Sequence, residues 1–278
     1  MNIGIVGLGL IGGSMAKSIK MRTCHTVYGA DLDSETMTLA RLCGALDGVL
    51  DGHTIKTCEL ILLAVRPNAA IDWVRKNADE IPSSATVIDL CGVKRAVCPA
   101  LSEIAEAHGF SYIGGHPMAG SERGGFVNST SELFCGASMI LTPDEQTDMD
   151  MLEKLKAFFT DIGFSSLTFS TPEEHDRIIA FTSQLAHVVS GAYVKSPEAQ
   201  RRRGFSAGSF RDMTRVARLD EDMWTELMLS NADFLSKELR ILIDHLEEYS
   251  SAIDARDADR LRGLLRDGRE KKSLAGGN

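Results

Sequence analysis

The sequence predicts an α/β fold over its first 170 residues, followed by an all-α segment from 171 to 278. Three observations carry this expectation. Short apolar runs alternate with amphipathic stretches from residue 2 to about 170. A glycine-rich turn joins the first apolar run to the first amphipathic one. After Thr171 the strand pattern stops, and apolar residues recur at three-to-four spacing.

The elements follow in order. "NIGIVG" reads as a strand, and "GGSMAKSIKM" as the helix after it. "HTVYGAD" and "SETMTLARLCG" repeat the pair, the helix ending at a glycine. "ELILLAV" is apolar throughout and of buried-strand length, which suits a parallel strand covered on both faces. "IDWVRKNADEI", "ATVIDLC", "AVCPALSEIAEAHG" and "FSYIGG" continue the alternation. "ASMILTP" and "SSLTFST" are later strands, with the helix "DMDMLEKLKAFFTDIG" between them. "TPEE" then opens a helix as a capping box, with Thr171 as N-cap, Pro172 at N1 and Glu174 at N3. That helix is expected to reach about Val194. A second long helix is expected from near Asp220, its stripe running through Trp224, Leu227, Met228, Phe234, Leu235, Ile241, Leu242 and Leu246. A shorter one spans about 257–269, and "GREKKS" reads as a frayed tail. Apolar-striped helices need a partner surface, and a homodimer through these C-terminal helices is the expected assembly.

The first turn carries a ligand signal. Gly7-Leu8-Gly9-Leu10-Ile11-Gly12 is a G-x-G-x-x-G between a strand and a helix, the context in which such a motif binds a dinucleotide. Gly7 permits the tight turn, Gly9 lets the backbone approach a pyrophosphate, and Gly12 lets helix and strand pack closely. The helix N-terminus then offers free N–H groups to phosphate. The second strand ends at Asp31, nineteen positions after Gly12. A carboxylate there accepts from a ribose and repels a 2′-phosphate, so the expected cofactor is NAD rather than NADP. The fold class is therefore a Rossmann-type dinucleotide-binding domain (1–170) followed by an all-α dimerisation and substrate domain (171–278). Arg66, in "AVRPN" after the third apolar strand, lies at the same edge of the sheet and serves as readily as a surface arginine.

Composition excludes other classes. A net charge of −9 argues against general nucleic-acid binding or a membrane surface. No apolar run approaches the roughly 20 residues that span a bilayer. The N-terminus enters a strand pattern at once, without the pattern of a secretory signal, so the expected compartment is the cytoplasm. Six cysteines without C-x-x-C spacing read as free thiols, and no metal-ligand set is expected. Eleven methionines suit core and interface packing. "RRRG" at 201–204 could draw in an anion, but reads more simply as a solvated loop.

"GGHPMAGSERGG" (114–125) raises the catalytic question. His116 follows a strand that should end at the ligand edge of the sheet, among glycines and a proline rather than core apolars. An imidazole with a pKa near 6.5 takes up a proton at neutral pH. Oxidising an alcohol with NAD needs such a base: hydride leaves the carbon while the hydroxyl proton goes elsewhere.

"GGHPMAGSE" resembles the signature of the prephenate dehydrogenase family, which includes arogenate and cyclohexadienyl dehydrogenases. "VGLGLIGGS", "TPEEHD", "SQLAHVVSGAY", "FSAGSFRDMTRVA" and "MWTELMLSN" resemble further family motifs in the same order. The resemblance implies oxidative decarboxylation of prephenate to 4-hydroxyphenylpyruvate, on the route to tyrosine. It implies His116 as the base and Arg215 as the carboxylate-binding guanidinium. Read alone, Arg215 could equally be a surface salt bridge to Asp212 or Asp220. Arg211, one turn earlier, ranks below it. The resemblance makes His187, Ser121, Glu122, Gly208 and Trp224 substrate-pocket residues, although periodicity alone would put His187 and Trp224 in the core.

The chain departs from the family in one segment. Many members carry a serine in D-x-x-S-V-K, whereas this chain reads Asp89-Leu90-Cys91-Gly92-Val93-Lys94. The serine hydroxyl is absent at Gly92, and Cys91, a water or a nicotinamide ribose group are the possible stand-ins. Alternative readings are an arogenate or cyclohexadienyl dehydrogenase, with Glu122 pairing the substrate ammonium, and a catalytically silent NAD-binding sensor of the same fold. A 3-hydroxyacid dehydrogenase or imine reductase also fits the architecture, but not "HPMAG" or "FRDMTR".

Overall fold

A computed structural model describes residues 1–276. The first part alternates β1 (Asn2–Val6), α1 (Leu10–Arg22), β2 (Thr26–Ala30), α2 (Ser34–Leu42), β3 (Gly48–Val49), β4 (Leu60–Leu63), α3 (Pro67–Asn77), β5 (Thr86–Asp89), α4 (Cys98–His108), β6 (Ser111–Pro117), β7 (Ser138–Thr142), α5 (Met149–Asp161) and β8 (Ser166–Phe169). The eight strands form one sheet in the order β3-β2-β1-β4-β5-β6-β7-β8. Every pairing is parallel except β6 with β7.

The sheet is buried on both faces, and its central strand β4 is apolar at every position. In β4 the even residues Leu60 and Leu62 join one core with Met15, Ile19, Phe158 and Phe159. The odd residues Ile61 and Leu63 join the other with Val74, Val87 and Leu101. Period-two alternation thus feeds two cores from one run. The order reverses between β1 and β4, and ligands of such sheets sit at the carboxyl ends of the strands beside that reversal.

After Thr171 the chain is helical: α6 (Pro172–Ile179), a π-helical turn (Ala180–Leu185), α7 (Ala186–Tyr193), α8 (Glu198–Arg201), α9 (Gly208–Thr214), α10 (Glu221–Leu229), α11 (Ala232–Asp254) and α12 (Ala258–Ala275). Thr171 caps α6 by accepting from the Glu174 N–H at 3.1 Å, with Pro172 at the first position. Residues 1–231 form one compact unit, and a second begins at Ala232. Among the described residues, no helix is long and apolar enough to cross a membrane.

Three local expectations need correction, and one strand was not expected. The two-residue strand β3 carries no alternation and escapes pattern reading. His116 does not follow β6 but belongs to it, because the antiparallel ladder with β7 extends the strand and pairs His116 with Ile140. The helix expected from Asp220 breaks at 230–231. There Asn231 turns inward, buried, and donates to the Asp176 carbonyl at 2.8 Å and to Gln184 Oε1 at 2.9 Å. "GREKKS" is not frayed but lies inside α12, which Asp257 caps through the Arg260 N–H.

Candidate active site

The dinucleotide turn is built by sterics. Gly7 has φ +84°, and a Cβ there would lie 2.5 Å from Val65 and 2.6 Å from the Ala64 carbonyl oxygen. A Cβ on Gly12 would lie 1.8 Å from the Gly7 carbonyl oxygen. Around Gly9 there is nothing within 4 Å of such an atom, so its backbone faces open space. Leu10 and Ile11 open α1, whose N-cap Gly9 makes no side-chain cap bond, so the first-turn N–H groups remain available. Asp31 Oδ2 accepts the Leu8 N–H at 2.6 Å, and Oδ1 accepts the Asp33 N–H at 2.9 Å. This fixes the carboxylate against the turn. An uncapped helix start under open space, with an anchored carboxylate beside it, fits a bound dinucleotide.

His116 is half-buried at the same edge of the sheet, near the carboxyl end of β6. Its Nδ1 lies 2.9 Å from His175 Nε2, and His175 Nδ1 lies 2.7 Å from Asp176 Oδ1. Both partners of His116 are buried at the start of α6. The protons can be placed by elimination. A carboxylate only accepts, so His175 Nδ1 carries its proton toward Asp176. Nε2 of neutral His175 is then an acceptor and takes the Nδ1–H of His116. The remaining nitrogen, His116 Nε2, is left with a bare lone pair.

Electrostatics keeps this pair neutral. Burial pushes the His116 pKa well below its ordinary value, and the neighbouring His175 and Lys94 push it further. Burial likewise lowers His175, against the hydrogen bond to Asp176. Burial alone would raise the Asp176 carboxyl. The bonds from His175 and from the backbone N–H groups of Arg95 (2.9 Å) and Lys94 (2.8 Å) outweigh it and hold the pKa below the usual range.

The other expected residues string out from this point. A Cβ on Gly92 would sit 3.9 Å from His116 Nε2 and 3.5 Å from Leu227 of α10. Gln184 of the π turn donates to the Leu227 carbonyl at 3.1 Å. One turn before Leu227, Trp224 stacks on His187 with ring centroids 3.9 Å apart. His187 Nδ1 donates to the Ser183 carbonyl at 2.8 Å, leaving Nε2 unprotonated. Burial lowers the His187 pKa, the Ser183 carbonyl opposes it, and Arg215 adds a lowering positive charge. Arg215 pairs with Glu122 Oε1 at 2.9 Å, not with Asp212 or Asp220. Ser121 folds onto Arg123 in the exposed loop (3.1 Å to its N–H), and Gly208 starts α9. A surface concavity of about 800 Å³ lined by Tyr193, Arg202, Phe205 and Phe210 does not include His116.

Cys91 is not the stand-in for the missing serine. Its thiol is buried, donates to the Val65 carbonyl at 3.4 Å, and is held well above its ordinary pKa by burial and by Asp89. The residues that sequence reasoning passed over are His175 and Asp176. They stood in plain view in "TPEEHD", but a gap of 59 residues gives no sign of contact with His116. Among the described residues, no group of three or more His, Cys, Asp or Glu could hold a metal.

Comparison with known proteins bears on the family and the fold. Residues 15–167 match the family profile "Prephenate dehydrogenase, nucleotide-binding domain", and 171–267 match "Prephenate dehydrogenase, dimerization domain". The first match begins after the glycine turn, so that turn rests on its own geometry. A cyclohexadienyl dehydrogenase of Zymomonas mobilis is 32% identical over 94% of this chain and 91% of its own. A prephenate dehydrogenase from A. aeolicus, solved with hydroxyphenyl propionate and NAD+, superposes with a TM-score of 0.86 at 27% identity, covering 99% of this chain and 98% of its own. Synechocystis arogenate dehydrogenase gives 0.81 at 27% identity, over 99% and 100%. The chain belongs to the prephenate dehydrogenase family.

Proposed function

We propose that this chain is an NAD-dependent dehydrogenase that converts prephenate to 4-hydroxyphenylpyruvate and CO2, with His116 as the base. The observation that carries the reading is the Asp176–His175–His116 chain ending on an unprotonated Nε2 at the carboxyl edge of the sheet. The dinucleotide, held by Gly7, Leu8, Gly9, Leu10, Ile11, Gly12 and Asp31, supplies an acceptor for the hydride of the carbinol carbon. His116 Nε2 takes the hydroxyl proton as that carbon becomes a carbonyl. Charge arriving on His116 is shared through His175 with Asp176. The ring carboxylate then leaves as CO2, its bonding pair completes the aromatic ring, and the oxygen, now a phenolate, takes the proton back from His116 to give the phenol. Aromatisation drives the reaction, so the protein's task is orientation and the passage of one proton to His116 and back.

Arg215 is the carboxylate-binding group, and in this structure Glu122 occupies its guanidinium. A substrate carboxylate therefore competes with Glu122. His187 and Trp224 form one wall of the pocket, with Ser121, Glu122 and Gly208 at its mouth. We place the boundary between the cofactor domain and the helical domain at 170/171. The chain works as a homodimer through its C-terminal helices, where Ile241, Leu246, Ile253 and Leu265 are exposed apolar positions. Six free cysteines suit the reducing cytoplasm.

The test is NADH formation with prephenate and with arogenate, using NAD and NADP. The expected order is prephenate with NAD first, and His116→Asn should lower kcat about 10²- to 10⁴-fold with the fold intact. Tight NAD binding without turnover on either acid would instead mean a silent sensor.

A further inference from the structure

Behind His116 lies a buried charge pair that the proposed reaction does not use. Asp89 ends β5, and Lys94 follows five residues later, both side chains fully buried. Lys94 Nζ donates to Asp89 Oδ1 and, at 2.6 Å, to the carbonyl of Gly115. Asp89 also accepts from the Tyr112 hydroxyl at 2.6 Å and from the Cys91 N–H at 2.9 Å. Burial opposes charge on Lys94, but Asp89 together with the nearby Cys91 and Cys98 outweighs it and leaves the pKa above the ordinary lysine value. A buried ion pair is weak support for a fold, because desolvation consumes most of its attraction.

Its position suggests another role. Gly115 immediately precedes His116 on β6. The main-chain N–H of the same Lys94 donates to Asp176 Oδ1, at the far end of the histidine pair. One residue thus closes a ring: Lys94 side chain, Gly115 carbonyl, His116, His175, Asp176, Lys94 main chain. The titratable and charged groups facing this ring are Asp89 of β5, Cys91 after it, Cys98 of α4, Tyr112 of β6, and Arg95 beside Asp176.

We propose that Lys94 is a positioning residue for the base, gripping both ends of the His116–His175–Asp176 chain and keeping a fixed cation behind it, so that His116 presents Nε2 as a neutral lone pair. This rests on the reading of His116 as the base. The test compares the whole enzyme with Lys94→Met, and with Lys94→Met combined with Asp89→Asn, which leaves no unpaired carboxylate. Three quantities are read: kcat and KM for prephenate, the acid limb of kcat/KM against pH, and the His116 ring titration followed by NMR without cofactor. We expect kcat to fall about 10- to 100-fold with KM within about three-fold. The His116 titration and the acid limb should both rise by about one pH unit, a ten-fold gain in proton affinity.

A fall in kcat with both titrations unmoved would reduce Lys94 to scaffolding and overturn the proposal. So would unchanged kcat, or failure of both variants to fold. His116→Asn separates the two readings. If it keeps kcat and the acid limb, the base assignment fails. If it abolishes them while the lysine variants leave the limb in place, only the role of Lys94 fails.

Discussion

Asp176→Asn tests the histidine chain with an almost isosteric change. In the native site Oδ1 accepts from the Lys94 N–H at 2.8 Å and from His175 Nδ1 at 2.7 Å, while Oδ2 accepts from the Arg95 N–H at 2.9 Å. All three partners are donors, so an amide NH2 must face at least one of them. With NH2 in the Oδ2 place, the Arg95 N–H is orphaned and the tautomers survive without their counter-charge. With NH2 in the Oδ1 place, the Lys94 N–H is orphaned and His175 Nδ1 becomes an acceptor. Its proton then moves to Nε2, the His116 proton moves likewise, and the lone pair that would take the substrate proton disappears. Losing one or two charge-assisted bonds in a buried site costs about 2–4 kcal/mol of stability. Losing the counter-charge or the tautomer should lower kcat by about two to three decades, or roughly 2.7–4 kcal/mol of barrier. KM should change little, because Asp176 is buried behind His175. NADH absorbance gives kcat and KM, and a circular-dichroism melt gives the stability. A folded variant with kcat within about three-fold of the parent would refute the proton placement.

Other perturbations separate the parts of the site. Gly9→Ala should leave the melting temperature unchanged and weaken NAD binding about ten-fold or more by calorimetry, since only a ligand fills the space its Cβ enters. Gly12→Ala should instead destabilise the protein itself, because its Cβ collides with the Gly7 carbonyl; equal losses of stability in the two variants would contradict this division. Gly92→Ser adds a Cβ in ordinary contact with Leu227 and a hydroxyl within reach of His116 Nε2. It should fold normally and raise kcat several-fold, and a fall in kcat/KM would assign that space to substrate. Because the folded pKa values of His116 and His175 lie below the unfolded value near 6.5, the unfolded chain binds more protons as pH falls through that window. Stability is therefore full above about pH 6.5 and declines below it, by up to about 1.4 kcal/mol per pH unit per histidine. Melts from pH 8 to 5 should show that slope, and His116→Asn should flatten part of it.

Local pattern carries far in this chain. The glycine turn, Asp31 and the apolar runs are local features, so spacing and alternation were enough to read them. His116 stood out by its place after a strand and by its chemistry, and the family resemblance strengthened it; Arg215 was reached only through that resemblance, because its neighbours in sequence say little about its neighbours in space. What stayed hidden is non-local. Nothing near Asp176 announces that its carboxylate gathers N–H groups from residues 94 and 95, more than 80 positions away. The break at Asn231 was equally opaque: its flanks continue a good helical stripe, and the cause is an amide held by Gln184 and the Asp176 carbonyl. Asp89 and Lys94 did leave a trace, an acid ending an apolar strand with a lysine five residues on, and that trace was read only for the serine it lacks.

The π turn at Ala180–Leu185 has a consequence for angular phase. His175 and His187 are twelve positions apart, and at about 100° per residue a regular helix would set them about 120° apart around the axis. A wide turn absorbs one extra residue, which cuts the offset to about 20° and brings the two imidazoles onto one side. Removing a single residue between 179 and 186 would relax the bulge into a regular helix and keep that phase, whereas straightening the turn at full length would swing the second imidazole about 100° away. At this chain length the bulge sets the clock angle of His187, and its own Ser183 carbonyl fixes that ring by accepting the Nδ1–H.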